Sequence, residues 1–289
     1  EYENTIRDLF RMNRPAFINP ERIIMNGDYF DPKSGRMPKH VLAFSHFSVA
    51  ANRSDDLAGV PTLPVDAPAE HGFNNQSDAL SFSPALIERY FEIANALLAS
   101  PEFPELSEEW SRLFEFAATD LAEDDGAKTV VSDRLSRFLP RAFRRPLREG
   151  ELNRYTKLFF SQWDEERAEN ETDLTRSARD AMKTVVATIL VSPNFLFRGD
   201  LKPINSTPGK FESAQSQYAI ASRMSYFLWA SMPDDELFAA AAKGELSRSS
   251  ELSSQVDRML ADKKSKSLAT DFGMQWLKVR KIATAAPER

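Results

Sequence analysis

The chain contains no cysteine. That excludes disulfides, thiolate nucleophiles, cysteine-ligated zinc, iron–sulfur clusters and covalently attached c-type haem from this stretch of protein. Histidine is almost as scarce: His40, His46 and His71 are the whole supply, so a metal site would have to be rich in carboxylates, and none is expected. No apolar run approaches the ~20 residues that a membrane-spanning helix requires. No stretch alternates apolar and polar residues between hairpin turns, as paired strands would. A glycine-rich phosphate loop, a His-Glu-x-x-His helix and a Gly-x-Ser-x-Gly elbow are all missing. Nothing recurs at a fixed period that would imply a solenoid.

What is present reads as ordinary globular protein. Hydrophobic residues make up 42% and charged residues 28% of the 289, enough for one large domain or two to three small ones. The net charge of −6 argues against a general nucleic-acid binder, which presents a basic face. The first residue is Glu1, with no methionine before it, as expected of a trimmed piece of a longer protein whose export signal has been removed.

The densest pattern runs from Gln215 to Leu237. Tyr218, Ala221, Met224 and Leu228 recur at helical spacing, with Ile220, Phe227 and Trp229 widening the apolar arc, so this helix is expected to pack on more than one side. Met232-Pro233 is expected to end it, because the residue before proline is pushed out of the α region. Asp234, Asp235 and Glu236 then fall in the first turn of a following Ala-rich helix, where their charge opposes the positive end of the helix dipole, and Gly244 caps that helix.

The same periodicity predicts helices over 1–12, 38–51, 83–99, 105–120, 130–139, 148–160 and 174–191, and two more around Leu252–Leu260 and Leu268–Val279. Residues 122–126 read as an acidic surface loop, 163–172 as a highly charged stretch and 200–209 as a linker. Residues 21–72 are rich in turn formers. The expected fold is all-α, a multi-helix orthogonal bundle array with long irregular loops in the N-terminal third. Its expected divisions are 1–129, 130–200 and 201–289.

Several polar groups are candidates for ligand binding. Asn74, Asn75 and Asp78, near His71, are able to line a polar pocket; the plainer reading is a hydrogen-bonded loop ahead of a helix. His40 and His46 lie six residues apart and so on different faces, which leaves His46 a candidate only in company from elsewhere. Arg141, Arg144 and Arg145 form a basic cluster between Pro140 and Pro146 that suits a phosphate or a carboxylated sugar, or else pairs with the nearby Glu149 and Glu151. Arg223 sits in the middle of the apolar arc. It is either an ion-paired structural arginine, with Asp234–Glu236 as partners, or a ligand-binding one.

Long motifs carry a family resemblance. Ala221 to Leu237, Gly244 to Ser247, Arg258 to Asp262 and Phe272 to Arg280 closely resemble the planctomycete-type exported multidomain proteins of unknown function. Arg137 to Pro146 and Leu190 to Arg198 are similar to the preceding domain of those proteins, and Glu1 to Leu9 with Asp78 to Tyr90 to the domain before that. The resemblance implies export to the periplasm or cell envelope, and in many members an upstream c-type cytochrome-like domain. Any haem would then lie in a separate domain, since this chain has no Cys-x-x-Cys-His and no cofactor is expected within it. The partners implied are other domains of the same parent chain or envelope proteins, with no nucleic acid and no membrane span. The family transfers no catalytic residue. The function stays open between a helical scaffold or interaction module, part of a haem-linked oxidoreductase, and polysaccharide binding or cleavage, with the scaffold first.

Overall fold

The computed structural model describes residues 1–16, 84–169, 173–197 and 213–277, with the single positions 60, 63 and 279. Among them every regular element is helical, and extended backbone pairs only at one isolated antiparallel bridge between Met12 and Ser107. The chain is all-α. The irregular segment expected over 21–72, the helix expected over 38–51 and the linker expected over 200–209 lie outside the described residues.

The helices are α1 (Tyr2–Leu9), α2 (Pro84–Ala99), α3 (Phe103–Leu106), α4 (Trp110–Phe114), α5 (Asp124–Phe143), α6 (Glu151–Glu169), α7 (Leu174–Leu190), α8 (Pro193–Leu196), α9 (Ser213–Trp229), α10 (Asp235–Ala242), α11 (Ser249–Ala261) and α12 (Met274–Trp276). Two apolar clusters organise them. The larger draws Ile6 and Leu9 from α1 with Phe10 just past it, Ile93 and Leu97 from α2, Leu135 and Leu139 from α5, and Phe159 and Trp163 from α6. The α7 helix crosses this cluster with its apolar stripe Ala178, Ala181, Met182, Val185 and Ile189, packing on both α2 and α6. The smaller cluster gathers Tyr218, Ala221, Leu228 and Trp229 of α9 around Leu237 of α10 and Met259 of α11. Met232, in the turn between α9 and α10, is buried in the larger cluster, so the chain plugs one cluster into the other just after α9.

Six segments differ from the sequence expectation. The helix expected over 105–120 is broken into α3, α4 and a 3-10 turn, Ala118–Leu121. Ser107 leaves the helical region (φ −105°, ψ 116°) because its hydroxyl donates to the carbonyl of Phe10 at 2.9 Å and its backbone bridges Met12. Glu115 does the same (ψ 116°), and its carbonyl accepts from Arg134 at 2.6 Å. Tertiary hydrogen bonds here outweigh local propensity.

The acidic 122–126 is not wholly a loop, since Asp124 and Asp125 form the first turn of α5, where the dipole favours them. That helix then runs on past residue 139 and through Pro140. Leu139, Ala142 and Phe143 are buried and hold the last turn against the lost backbone bond. The charged 163–172 continues α6 to Glu169, with Trp163 inside the core and Arg167 lying 4.5 Å over its ring.

At the end of α9 the chain turns at Ala230 in the left-handed region (φ 52°), before Met232-Pro233 is reached. The last helix is different again. A π-type turn, Leu268–Gly273, adds a residue per turn ahead of α12, and Phe272 and Trp276 face outward rather than into a core.

Phe10 is fully buried between Phe103 (centroids 5.1 Å, near-perpendicular) and Phe138 (5.7 Å). Phe10→Ala is expected to lower stability by about 3–5 kcal/mol in urea unfolding, because the rings around it come from separate helices and collapse poorly. A loss well under 1 kcal/mol would mean that α1 does not anchor the larger cluster.

Candidate functional site

The polar groups that converge in the described residues do so along a seam between the two clusters, and α1 lies in it. Asn4 Nδ2 donates to the carbonyl of Ala230 at 3.2 Å, and the hydroxyls of Thr5 and Tyr226 meet at 2.9 Å. The Ser231 hydroxyl lies 3.0 Å from the Asn4 carbonyl and 2.6 Å from Asp8 Oδ2. Lys264 Nζ donates to the same Asp8 oxygen at 2.9 Å. One turn on, Arg11 Nε pairs with Glu109 Oε1 at 2.8 Å, and Arg11 also donates to Asp235 at 2.6 Å. Arg141, from the last turn of α5, donates to Glu109 Oε1 at 3.0 Å and to the Asp8 carbonyl at 3.2 Å. Two guanidiniums thus share one largely buried carboxylate, and the backbone of α1 takes part.

The acidic turn at the start of α10 is held by Arg258 of α11. Asp234 caps α10, its Oδ1 accepting from the Leu237 N–H at 2.9 Å. Arg258 of α11 grips the same carboxylate with both terminal nitrogens, at 2.7 and 3.1 Å, and its Nε pairs with Glu236 at 3.1 Å. Burial alone would lower the charge affinity of Arg258, but the hydrogen bonds and charge of Asp234 outweigh it and raise its pKa. Arg223, a candidate partner for these acids, is exposed on α9.

Arg144 and Arg145 both reach the short α8 segment. Arg144 is only 4% exposed. Its guanidinium donates to the carbonyls of Ala142, Asn194, Phe195 and Phe197 at 2.9–3.1 Å, so a buried charge is satisfied by the carboxyl ends of two helices. The rings of Phe195 and Tyr226 lie 5.7 and 5.8 Å from it. Arg145 forms a bidentate pair with Glu151, at 2.8 and 2.7 Å, and reaches Asn194 Oδ1 at 3.2 Å. The third arginine of that cluster, Arg141, turns away to the seam. His46, His71, Asn74, Asn75 and Asp78 lie outside the described residues. Among the described residues no group of three or more His, Asp or Glu side chains is arranged to hold a metal ion.

Sequence reasoning missed Asp8, Glu109, Ser231 and Lys264. Glu109 precedes Trp110 in a stretch read as one amphipathic helix, and nothing local marks it as the meeting point of two distant arginines. Asp8 carried a weak signal, being the acid on the polar face of α1.

The arrangement defines an all-α protein in which an N-terminal helix ties two helical clusters together through ion pairs. Three family models match the chain, in order: a protein of unknown function (PSD3, DUF1587) over residues 54–100, a second (PSD5, DUF1595) over 130–200, and a third (PSD4, DUF1592) over 216–289. The chain therefore carries three domains of unknown function. No curated protein and no solved structure matches it.

Burial would raise the pKa of Glu151, but the Arg145 guanidinium and the Arg148 N–H outweigh it and hold the carboxyl below the usual range. A depressed folded-state pKa adds stability above the unfolded value, about 4.3, which is lost as pH falls through the folded value. Glu151→Gln is expected to cost about 1 kcal/mol at pH 7, allowing for solvent screening, and the gap from the wild type should narrow as pH falls below the unfolded value and close below the folded one. A gap independent of pH would assign the loss to packing.

The Asp8–Lys264 pair is checked by a double-mutant cycle with Asp8→Asn and Lys264→Met. The expected coupling is about 0.5–1 kcal/mol, falling with added salt. A coupling of zero would remove this pair from the seam.

Proposed function

We propose that the chain is a non-catalytic helical scaffold, an interaction module of an exported multidomain protein of the periplasm or cell envelope. The observation that carries this reading is the seam. Its carboxylates and guanidiniums, the groups best suited to acid–base or anion chemistry, hold two helical clusters in one arrangement. Such a connection suits a part that keeps other domains in register.

A second feature supports it. Phe227, Phe272 and Trp276 form an outward ladder, with centroids 5.8 and 6.2 Å apart, and Trp276 is 66% exposed. Leu277 extends it. Contiguous exposed aromatic surface of this kind marks contacts with other proteins. The partners in this reading are other domains of the same parent chain or neighbouring envelope proteins. Any haem would belong to one of those domains.

The test uses the full-length parent protein, exported by its own signal and purified from the envelope. Cross-linking is expected to join the exposed Lys266, six residues before Phe272, to lysines outside residues 1–289, and Phe227→Ser with Trp276→Ser should weaken those cross-links about tenfold. A stoichiometric metal or a haem bound within this segment would overturn the scaffold in favour of an oxidoreductase. Polysaccharide cleavage that fails on substituting carboxylates of this segment would overturn it in favour of a hydrolase.

A further inference from the structure

The outer face of the α6–α7 pair offers a different chemistry from the seam. A groove of about 680 Å³ opens there, within the range of small-molecule sites. Asn153, Arg154, Lys157, Leu158 and Ser161 line it from α6, and Thr188 from α7. No carboxylate is among its described lining residues, although the chain carries a net charge of −6. The side chains of Arg154 and Lys157 form no ion pair or hydrogen bond among the described residues; Arg154 lies 6.0 Å over the ring of Tyr155, which also lines the groove. The nearest acid along the helix, Glu151, has both oxygens on Arg145 and accepts the Arg148 N–H as well. It is thereby withdrawn from Arg154.

Spacing organises the groove. Asn153, Lys157 and Ser161 are four residues apart and form one stripe along α6, about 12 Å from end to end. Arg154 flanks that stripe. Leu158 gives an apolar surface between the polar groups. Thr188 already donates to the Thr184 carbonyl at 2.9 Å, so its oxygen is left as an acceptor. Two cations, an amide, two hydroxyls and one apolar surface match a ligand that has an oxyanion, several hydroxyls and a weakly polar face.

We propose that this groove binds a small acidic sugar. Arg154 and Lys157 hold its carboxylate, sulfate or phosphate, while Asn153, Ser161 and Thr188 take its hydroxyls and Leu158 its ring face. The site is independent of the scaffold reading: a scaffold without this ligand, or a ligand-binding chain that docks on nothing, are separate outcomes.

The test is calorimetric titration of the whole chain with glucuronate, glucose 6-sulfate and glucose 6-phosphate, with neutral glucose as control at matched ionic strength. At least one acidic sugar is expected to saturate one site per chain, about tenfold or more tighter than glucose, and to weaken with added salt. Which acid binds identifies the oxyanion. The double variant Arg154→Ala, Lys157→Ala should lose about tenfold or more in affinity. Both residues are exposed, so its helical circular dichroism should match the wild type. Thr188→Val should lose about threefold through its missing hydroxyl. Acidic sugars binding no better than glucose would overturn the proposal. So would a double variant that binds like the wild type, or unchanged affinity in Thr188→Val, which would reduce the effect to unspecific charge attraction.

Discussion

Glu109 is the point on which the arrangement turns. Its carboxylate, 12% exposed, pairs with Arg11 Nε just past α1 and accepts from Arg141 at the end of α5. Each arginine then reaches Asp235 at the start of α10, Arg11 at 2.6 Å and Arg141 at 3.9 Å. Removing two guanidiniums and a carboxylate from most of their water costs as much as their attraction returns, so the net stabilisation is small. The geometry is what such a network supplies. Apolar clusters tolerate sliding, because any oily face buries similar area against another. A shared carboxylate with two forked partners admits one register, and it forces the short pieces α3 and α4 into place between α1 and α5.

The chain direction at the seam is set by a feature that local rules do not announce. Arg11, Arg144 and Ala230 all have positive φ, at 50°, 56° and 52°, and each follows a helix. Left-handed helix ends are usually given to glycine, whose missing Cβ removes the steric penalty. Gly244 (φ 72°) follows that rule and was legible in the sequence. The two arginines do not, and the reason is what their side chains do afterwards. From the left-handed position Arg144 reaches back to the carbonyl ends of α5 and α8, and Arg11 reaches across to Glu109. Glycine would ease the backbone and abolish both connections.

This explains what the sequence could and could not reveal. Helix periodicity located α1, α2, α7, α9, α10 and α11 closely, because each presents an apolar stripe to one of the clusters. It failed over 105–120, where Ser107 and Glu115 are drawn out of the helix by partners nearly a hundred and about twenty residues away in sequence. It also failed at Pro140, where the burial of Leu139, Ala142 and Phe143 offsets a proline that reads locally as a stop. The arginine cluster was visible as a cluster, and Glu151 as a partner for it. The division of labour was not: Arg141 to the seam, Arg144 to carbonyls in the interior, Arg145 to Glu151. Those three destinations differ by the helical rotation between neighbouring residues and by one left-handed turn at Arg144, which no composition rule encodes.

The contrast between the arginines of α5 and the cations of α6 follows from the same pairing. By holding Glu151, Arg145 removes the one carboxylate able to neutralise Arg154 from a helical turn away. The ion pair that closes the α5–α6 corner therefore also sets the electrostatics of the groove beyond it. Structure and candidate binding face are coupled through a single acid. Neutralising Glu151 would release Arg145 without adding a negative charge to the groove, so the fold at the corner would weaken while the cationic character of Arg154 and Lys157 persisted. The two roles of that corner are separable because the fold needs the Arg145–Glu151 pair intact, whereas the groove needs only that Glu151 brings no negative charge to Arg154.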